Sequence, residues 1–189
     1  MVEVDVRMTS DGRLVLLHDE TIERTTDKSG RLRQLSLKQV QELTAHQPVP
    51  TLEEALEAGG PSLGMILELK EAGIGAEAAG IVRRTKFGGA VIYASFLFGE
   101  LVRVRLADPS AAIMPLFGDT LPANPVEEAV MLQASQAGFS YPTLTRHLVN
   151  TCRQAGIQVF AYTVNDPLAV RHIRGLEIDG IISDFPDRI

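Results

Sequence analysis

Apolar and polar residues alternate from the start of the chain: Val2, Val4 and Val6 fall on one face of an extended strand, and Glu3, Asp5 and Arg7 on the other. Ser10-Asp11-Gly12-Arg13 then reads as a turn, and the second strand, residues 14–17, ends by delivering His18 beside the end of the first. Further apolar, β-branched runs at 65–69, 90–94, 112–117, 137–140, 157–164 and 180–183 predict strands. Between them, helical periodicity covers 74–84, 97–107, 126–134, 145–155 and 167–174. Strand and helix alternate, which predicts a parallel sheet with helices outside it, as either a (β/α) barrel or an open doubly wound sheet.

Residues 19–62 break that rhythm with two helical patterns, 36–43 and 52–58, and no strand between them. The segment reads as an insertion over one end of the sheet. Thr51-Leu52-Glu53-Glu54 is a capping box, so these glutamates are helix-start chemistry rather than catalytic groups.

Length and composition narrow the picture. The 189 residues fit one domain, 1–189, with room for a real core. Net charge is -6, and the basic residues are scattered rather than gathered in a stripe, which argues against a nucleic-acid partner. A single cysteine, Cys152, excludes an internal disulfide and a cysteine metal cluster within one chain, and reads as a small apolar filler on a helix. No apolar run approaches the roughly 18 residues that cross a bilayer, and no signal peptide is visible, so the chain as written is expected to be cytoplasmic. Met1 coincides with the start of a strand pattern, as in a chain that opens inside its own core. A misplaced start with an export signal upstream therefore stays open.

The candidate chemistry begins with Glu3 and Asp5, two carboxylates on one strand face, whose mutual repulsion calls for a cation or a shared proton. Glu68 and Lys70 share a face of the 65–69 strand and its end, and the carboxyl ends of parallel strands are where ligands bind. Three carboxylates make a hard oxygen site suited to magnesium, calcium or manganese. Lys70 beside it suits a phosphate-bearing ligand. The alternative is plain charge pairing, of Glu68 with Lys70 or of either with Arg7.

The chain resembles the glycerophosphodiester phosphodiesterases through Glu-Val-Asp-Val, Thr-Ser-Asp-Gly, His18-Asp19 with Arg24-Thr25-Thr26 and Gly30, and Pro50-Thr51-Leu52-Glu53-Glu54. The match continues through Glu68-Leu69-Lys70, Ser95-Phe96, Tyr162-Thr163-Val164-Asn165 and residues 179–186, in order. The resemblance implies a TIM-type (β/α) barrel, with residues 19–62 as an insertion near the active site. It implies metal-dependent hydrolysis of small glycerophosphodiesters to glycerol 3-phosphate and an alcohol, with one divalent cation, magnesium or calcium with manganese as a further option. Glu3, Asp5 and Glu68 match the metal carboxylates, His18 one of two catalytic histidines, and Lys70 the phosphate-contacting lysine. Tyr162, Asn165 and Asp184 are expected to line the site, Tyr162 standing where the family has tryptophan.

Family members begin with a His-Arg-Gly strand and a following helix that have no counterpart here. The expectation is therefore a barrel without its first strand, impaired in turnover, that covers its open edge with a neighbouring copy or aggregates. Two other readings remain: a non-catalytic remnant that binds metal or anion, and a related phospholipase C or D type of phosphodiesterase. His46 reads as a loop residue, and His147 and His172 as outer-face helix residues.

Overall fold

The computed structural model describes residues 1–24, 26 and 28–189; Thr25 of the Arg24-Thr25-Thr26 motif lies outside the described residues. The chain divides into two compact units, residues 1–93 with 99–111, and residues 94–98 with 112–189.

In the first unit, β1 (Val2–Met8) turns back into the short antiparallel β2 (Leu14–Leu16) and pairs on its other side with the parallel β3 (Met65–Leu69). The turn is closed by Thr9, whose N–H donates to the Arg13 carbonyl, with Gly12 at φ 79 taking the left-handed backbone that residues with a Cβ avoid. Because β2 covers β1 over Val6–Met8, and the Leu17 N–H donates to the Asp5 carbonyl, part of the β1 edge expected to be open is paired within the chain. Val6, Leu67 and Leu69 are buried, on the face opposite the carboxylates.

The segment between β2 and β3 holds a 3-10 turn (Leu32–Gln34), α1 (Leu37–Leu43) and α2 (Leu52–Gly59). It is no loose loop. Ile22, Leu32, Val40 and Val49 form a core with Val15 and Leu17, so the segment folds onto β2 by burying its own apolar residues. Both helices start with a complete capping box, at Ser36/Gln39 and at the expected Thr51/Glu54.

Helix α3 (Gly75–Thr85) follows β3, and β4 (Val91–Ser95) and α4 (Phe98–Ala107) come next. The buried carboxylate of Glu100 accepts from the Gly73 and Gly75 N–H groups, 2.8 Å each, in place of the side-chain cap that α3 lacks.

In the second unit, β5 (Ala112–Phe117), β6 (Gln136–Ser140), β7 (Gln158–Tyr162) and β8 (Gly180–Ile181) run parallel in that order. The helices α5 (Pro125–Met131), α6 (Arg146–Gln154) and α7 (Pro167–Arg174) connect them. Phe117 stacks on Phe139 in this core, and Cys152 is buried as expected. Among the described residues, no helix is long and apolar enough to cross a membrane.

Candidate active site

The register of β1 on β3 sets Asp5 directly against Glu68, with Glu3 one step back on the same face. Carboxylate oxygens of Glu3, Asp5 and Glu68 all lie within 4.8 Å of one another, an arrangement able to hold a metal ion. The Lys70 amine reaches back into the group, 2.5 Å from Glu68 and 3.1 Å from Asp5. The pairing alternative thus holds for Glu68 with Lys70. Arg7 instead pairs with Glu71, at 3.3 Å.

Burial pushes the Glu68 carboxyl above its usual range, a rise that the hydrogen bond and charge of Lys70 only partly offset. Burial works against the Lys70 ammonium too, yet the hydrogen bond to Glu68 and the charges of Glu68 and Asp5 outweigh it and hold the amine above its ordinary value. Burial thus disfavours the charged form of both groups, and the opposite charges beside them offset it, in part at Glu68 and more than fully at Lys70. A divalent cation would complete the balance, and an all-oxygen donor set suits a hard ion.

His18 follows β2, held by the Leu17 N–H on the Asp5 carbonyl and by Arg7 Nε donating to its own carbonyl at 2.8 Å. Its ring stands close enough to act electrostatically on Glu68. His18 Nδ1 is 2.7 Å from Asp19 Oδ1, and Arg24 Nε donates to Asp19 Oδ2 at 2.5 Å. The Arg24 hydrogen bond, then that of His18, hold the Asp19 carboxyl below the usual range. An ionised Asp19 fixes the proton on Nδ1 and leaves Nε2 as the atom free to exchange one.

Sequence reasoning assigned no role to Asp19, Arg24 or Glu71. An acidic residue adjoining a histidine could have flagged Asp19; nothing short of the folded chain reveals Glu71.

The remaining expected residues lie in the second unit. The Tyr162 hydroxyl donates to the Phe117 carbonyl at 2.7 Å and its ring meets Phe96 edge-on. Asn165 donates to Asp184 Oδ2 at 2.8 Å and accepts from the Asp184 N–H and the Ser183 hydroxyl. These three residues thus engage neighbours of their own unit. His46, His147 and His172 are exposed.

Comparison with known proteins adds independent findings. The model of the glycerophosphoryl diester phosphodiesterase family matches residues 1–188. The Bacillus subtilis protein YhdW is 30% identical, over 100% of this chain and 84% of its own length. A glycerophosphodiester phosphodiesterase of Caldanaerobacter subterraneus is 28% identical, over 100% of this chain and 83% of its own. Among solved structures, an Oleispira antarctica phosphodiesterase in complex with the product sn-glycerol-3-phosphate superposes with a TM-score of 0.87 at 26% identity, covering 99% of this chain and 82% of that one. The Thermotoga maritima glycerophosphodiester phosphodiesterase gives 0.79 at 28%, covering 96% and 80%. The neighbours are of the TIM-barrel type, which is the fold class expected from the motifs.

Proposed function

From the premise that the chain belongs to the glycerophosphoryl diester phosphodiesterase family, we propose that it hydrolyses glycerophosphodiesters to glycerol 3-phosphate and an alcohol, using one divalent cation held by Glu3, Asp5 and Glu68. The observation that carries the metal reading is the cluster of three carboxylates with oxygens within 4.8 Å of one another, two of them beside the Lys70 ammonium. When bound, the cation supplies positive charge that neutralises the phosphoryl oxygens and polarises the phosphorus centre.

The chain's own residues do the rest. Lys70, beside Asp5 and Glu68, turns its ammonium to a phosphate oxygen and adds charge that the leaving group's departure requires. His18 exchanges a proton through Nε2, with Asp19 orienting the ring and Arg24 keeping Asp19 ionised. Residues 1–189 act in this reading as one catalytic domain, with residues 19–62 an insertion beside the site.

Two proton transfers accompany hydrolysis, one from the attacking water and one to the departing alcohol. His18, whose ring acts electrostatically on Glu68, is the group placed to take part in them. The Val2 end of β1, where Met1 is 61% and Val2 44% exposed, is the place a second copy would cover.

Assays on glycerophosphocholine and glycerophosphoethanolamine, with and without chelator, test the reading. Release of glycerol 3-phosphate that stops on chelation supports it. Cation binding with no product at any enzyme concentration would leave a binding remnant instead.

A further inference from the structure

Arg7 is the one arginine of β1, and its side chain, on the face of Asp5, is only 11% exposed. Its guanidinium makes two contacts in different directions. Nε donates to the carbonyl of His18 at 2.8 Å, and Nη1 lies 3.3 Å from Glu71 Oε1. Glu71 immediately follows Lys70, whose own N–H donates to the Val6 carbonyl. One planar, rigid group thus stands between the main chain at His18 and the main chain just past Lys70.

Glu71 is itself locked. Its second oxygen accepts from Arg33 Nε at 2.5 Å, and Arg33 Nη2 donates to the Ala72 carbonyl at 3.1 Å. Arg33 sits in the 3-10 turn Leu32–Gln34 of the inserted segment, so the network joins that segment to both arms of the site.

Stability is a poor reason for such a network. The Arg7–Glu71 pair, each side chain 11% exposed, carries a desolvation cost that its Coulomb attraction barely returns, and apolar residues of similar volume would serve the fold as well. What apolar packing lacks is a fixed direction. We propose that Arg7, held by Glu71 and through it by Arg33, is a positioning residue that sets the gap between the His18 imidazole and the Lys70 ammonium, and with it the fit of the substrate's phosphate. The inference rests on the proposed function, since it takes His18 and Lys70 as the groups that meet the phosphate.

Isothermal titration of the 189-residue protein with sn-glycerol 3-phosphate in saturating magnesium, and with magnesium alone, tests it. Glu71→Gln removes one of the two arginine contacts, and Arg33→Ala, at a half-exposed side chain, removes the outer lock. Both are expected to weaken glycerol 3-phosphate about fivefold or more, because sub-ångström misplacement of binding groups is costly, while magnesium affinity stays within about twofold. Thr51→Ala, which loosens a helix cap, serves as the control: it lowers the melting temperature and leaves glycerol 3-phosphate affinity unchanged.

Unchanged affinity in folded Glu71→Gln and Arg33→Ala overturns the inference, as does an equal loss in Thr51→Ala, which would make the effect one of stability. Should Glu71→Gln fail to fold, Arg33→Ala decides the matter. No binding of glycerol 3-phosphate by the unaltered protein would instead sink the proposed function, and the inference with it.

Discussion

The Lys70 ammonium lies 2.5 Å from the Glu68 carboxylate, and neither side chain is more than 16% exposed. An ion pair of this kind normally lowers the pKa of its acid, yet the Glu68 carboxyl is raised, because burial outweighs the lysine and Asp5 adds a second negative charge. A raised carboxyl contributes stability below its ordinary pKa that is lost as pH climbs through the raised value. Above that value the ionised Glu68 is a cost to the fold, one that a bound cation would relieve.

Magnesium, calcium or manganese should accordingly raise the melting temperature, through a stabilisation that grows with the logarithm of concentration and reaches about 2.7 kcal/mol at a hundred times the dissociation constant. Glu68→Gln should melt no lower than the unaltered protein in chelator and gain nothing from added metal. A metal-dependent shift that survives in Glu68→Gln would remove Glu68 from the ligand set.

His18 is expected to carry its proton on Nδ1, facing Asp19. Long-range nitrogen NMR of the imidazole should report that single tautomer in the unaltered protein and a mixture in Asp19→Asn. In assays with measurable turnover, His18→Ala should lose at least about a hundredfold, the usual contribution of a general acid or base. A mixed tautomer in the unaltered protein would contradict the orienting role of Asp19.

Burial pushes the Cys152 thiol up to about 11. Its contribution to stability is present below the ordinary thiol value and is lost as pH rises through about 11. At pH 8 the folded protein should resist a disulfide reagent that labels the urea-unfolded chain at once. Prompt labelling of the native state would show Cys152 to be accessible.

Tyr162→Phe deletes the hydrogen bond to the Phe117 carbonyl and should cost about 0.5–1.5 kcal/mol of stability, read from urea melts. The fold should survive. No measurable loss would mean that the hydroxyl makes no net contribution.

Gly75→Ala should be harsher than an ordinary glycine substitution, since a Cβ there would stand 2.4 Å from the Glu100 carbonyl oxygen, where backbone cannot easily yield. A loss of about 1–3 kcal/mol is the scale for such overpacking. A melting temperature equal to that of the unaltered protein would show that α3 and α4 can shift apart.

The sequence by itself determined the elements and their kind. The 65–69 and 112–117 strands and the 167–174 helix were readable to the residue, because two-residue alternation, continuous apolar runs and helical spacing are local properties. The Thr51/Glu54 cap was readable for the same reason. So was the shared face of Glu3 and Asp5, which follows from the pleat alone. Choosing a TIM-type barrel over an open sheet needed the ordered motifs, since spacing leaves both architectures open.

Only the tertiary structure decided which charges meet. Asp5 faces Glu68 because β1 and β3, some sixty residues apart in sequence, pair in one particular register. Arg7 was weighed as a partner for Glu68 or Lys70, and chose Glu71, because Lys70 reaches back along β3 while the next side chain turns toward β1. Likewise the Tyr162 hydroxyl finds its acceptor on β5, two strands away. Polar side chains satisfy themselves with whatever the packed fold brings within about 3 Å, a distance that no pattern along the chain encodes.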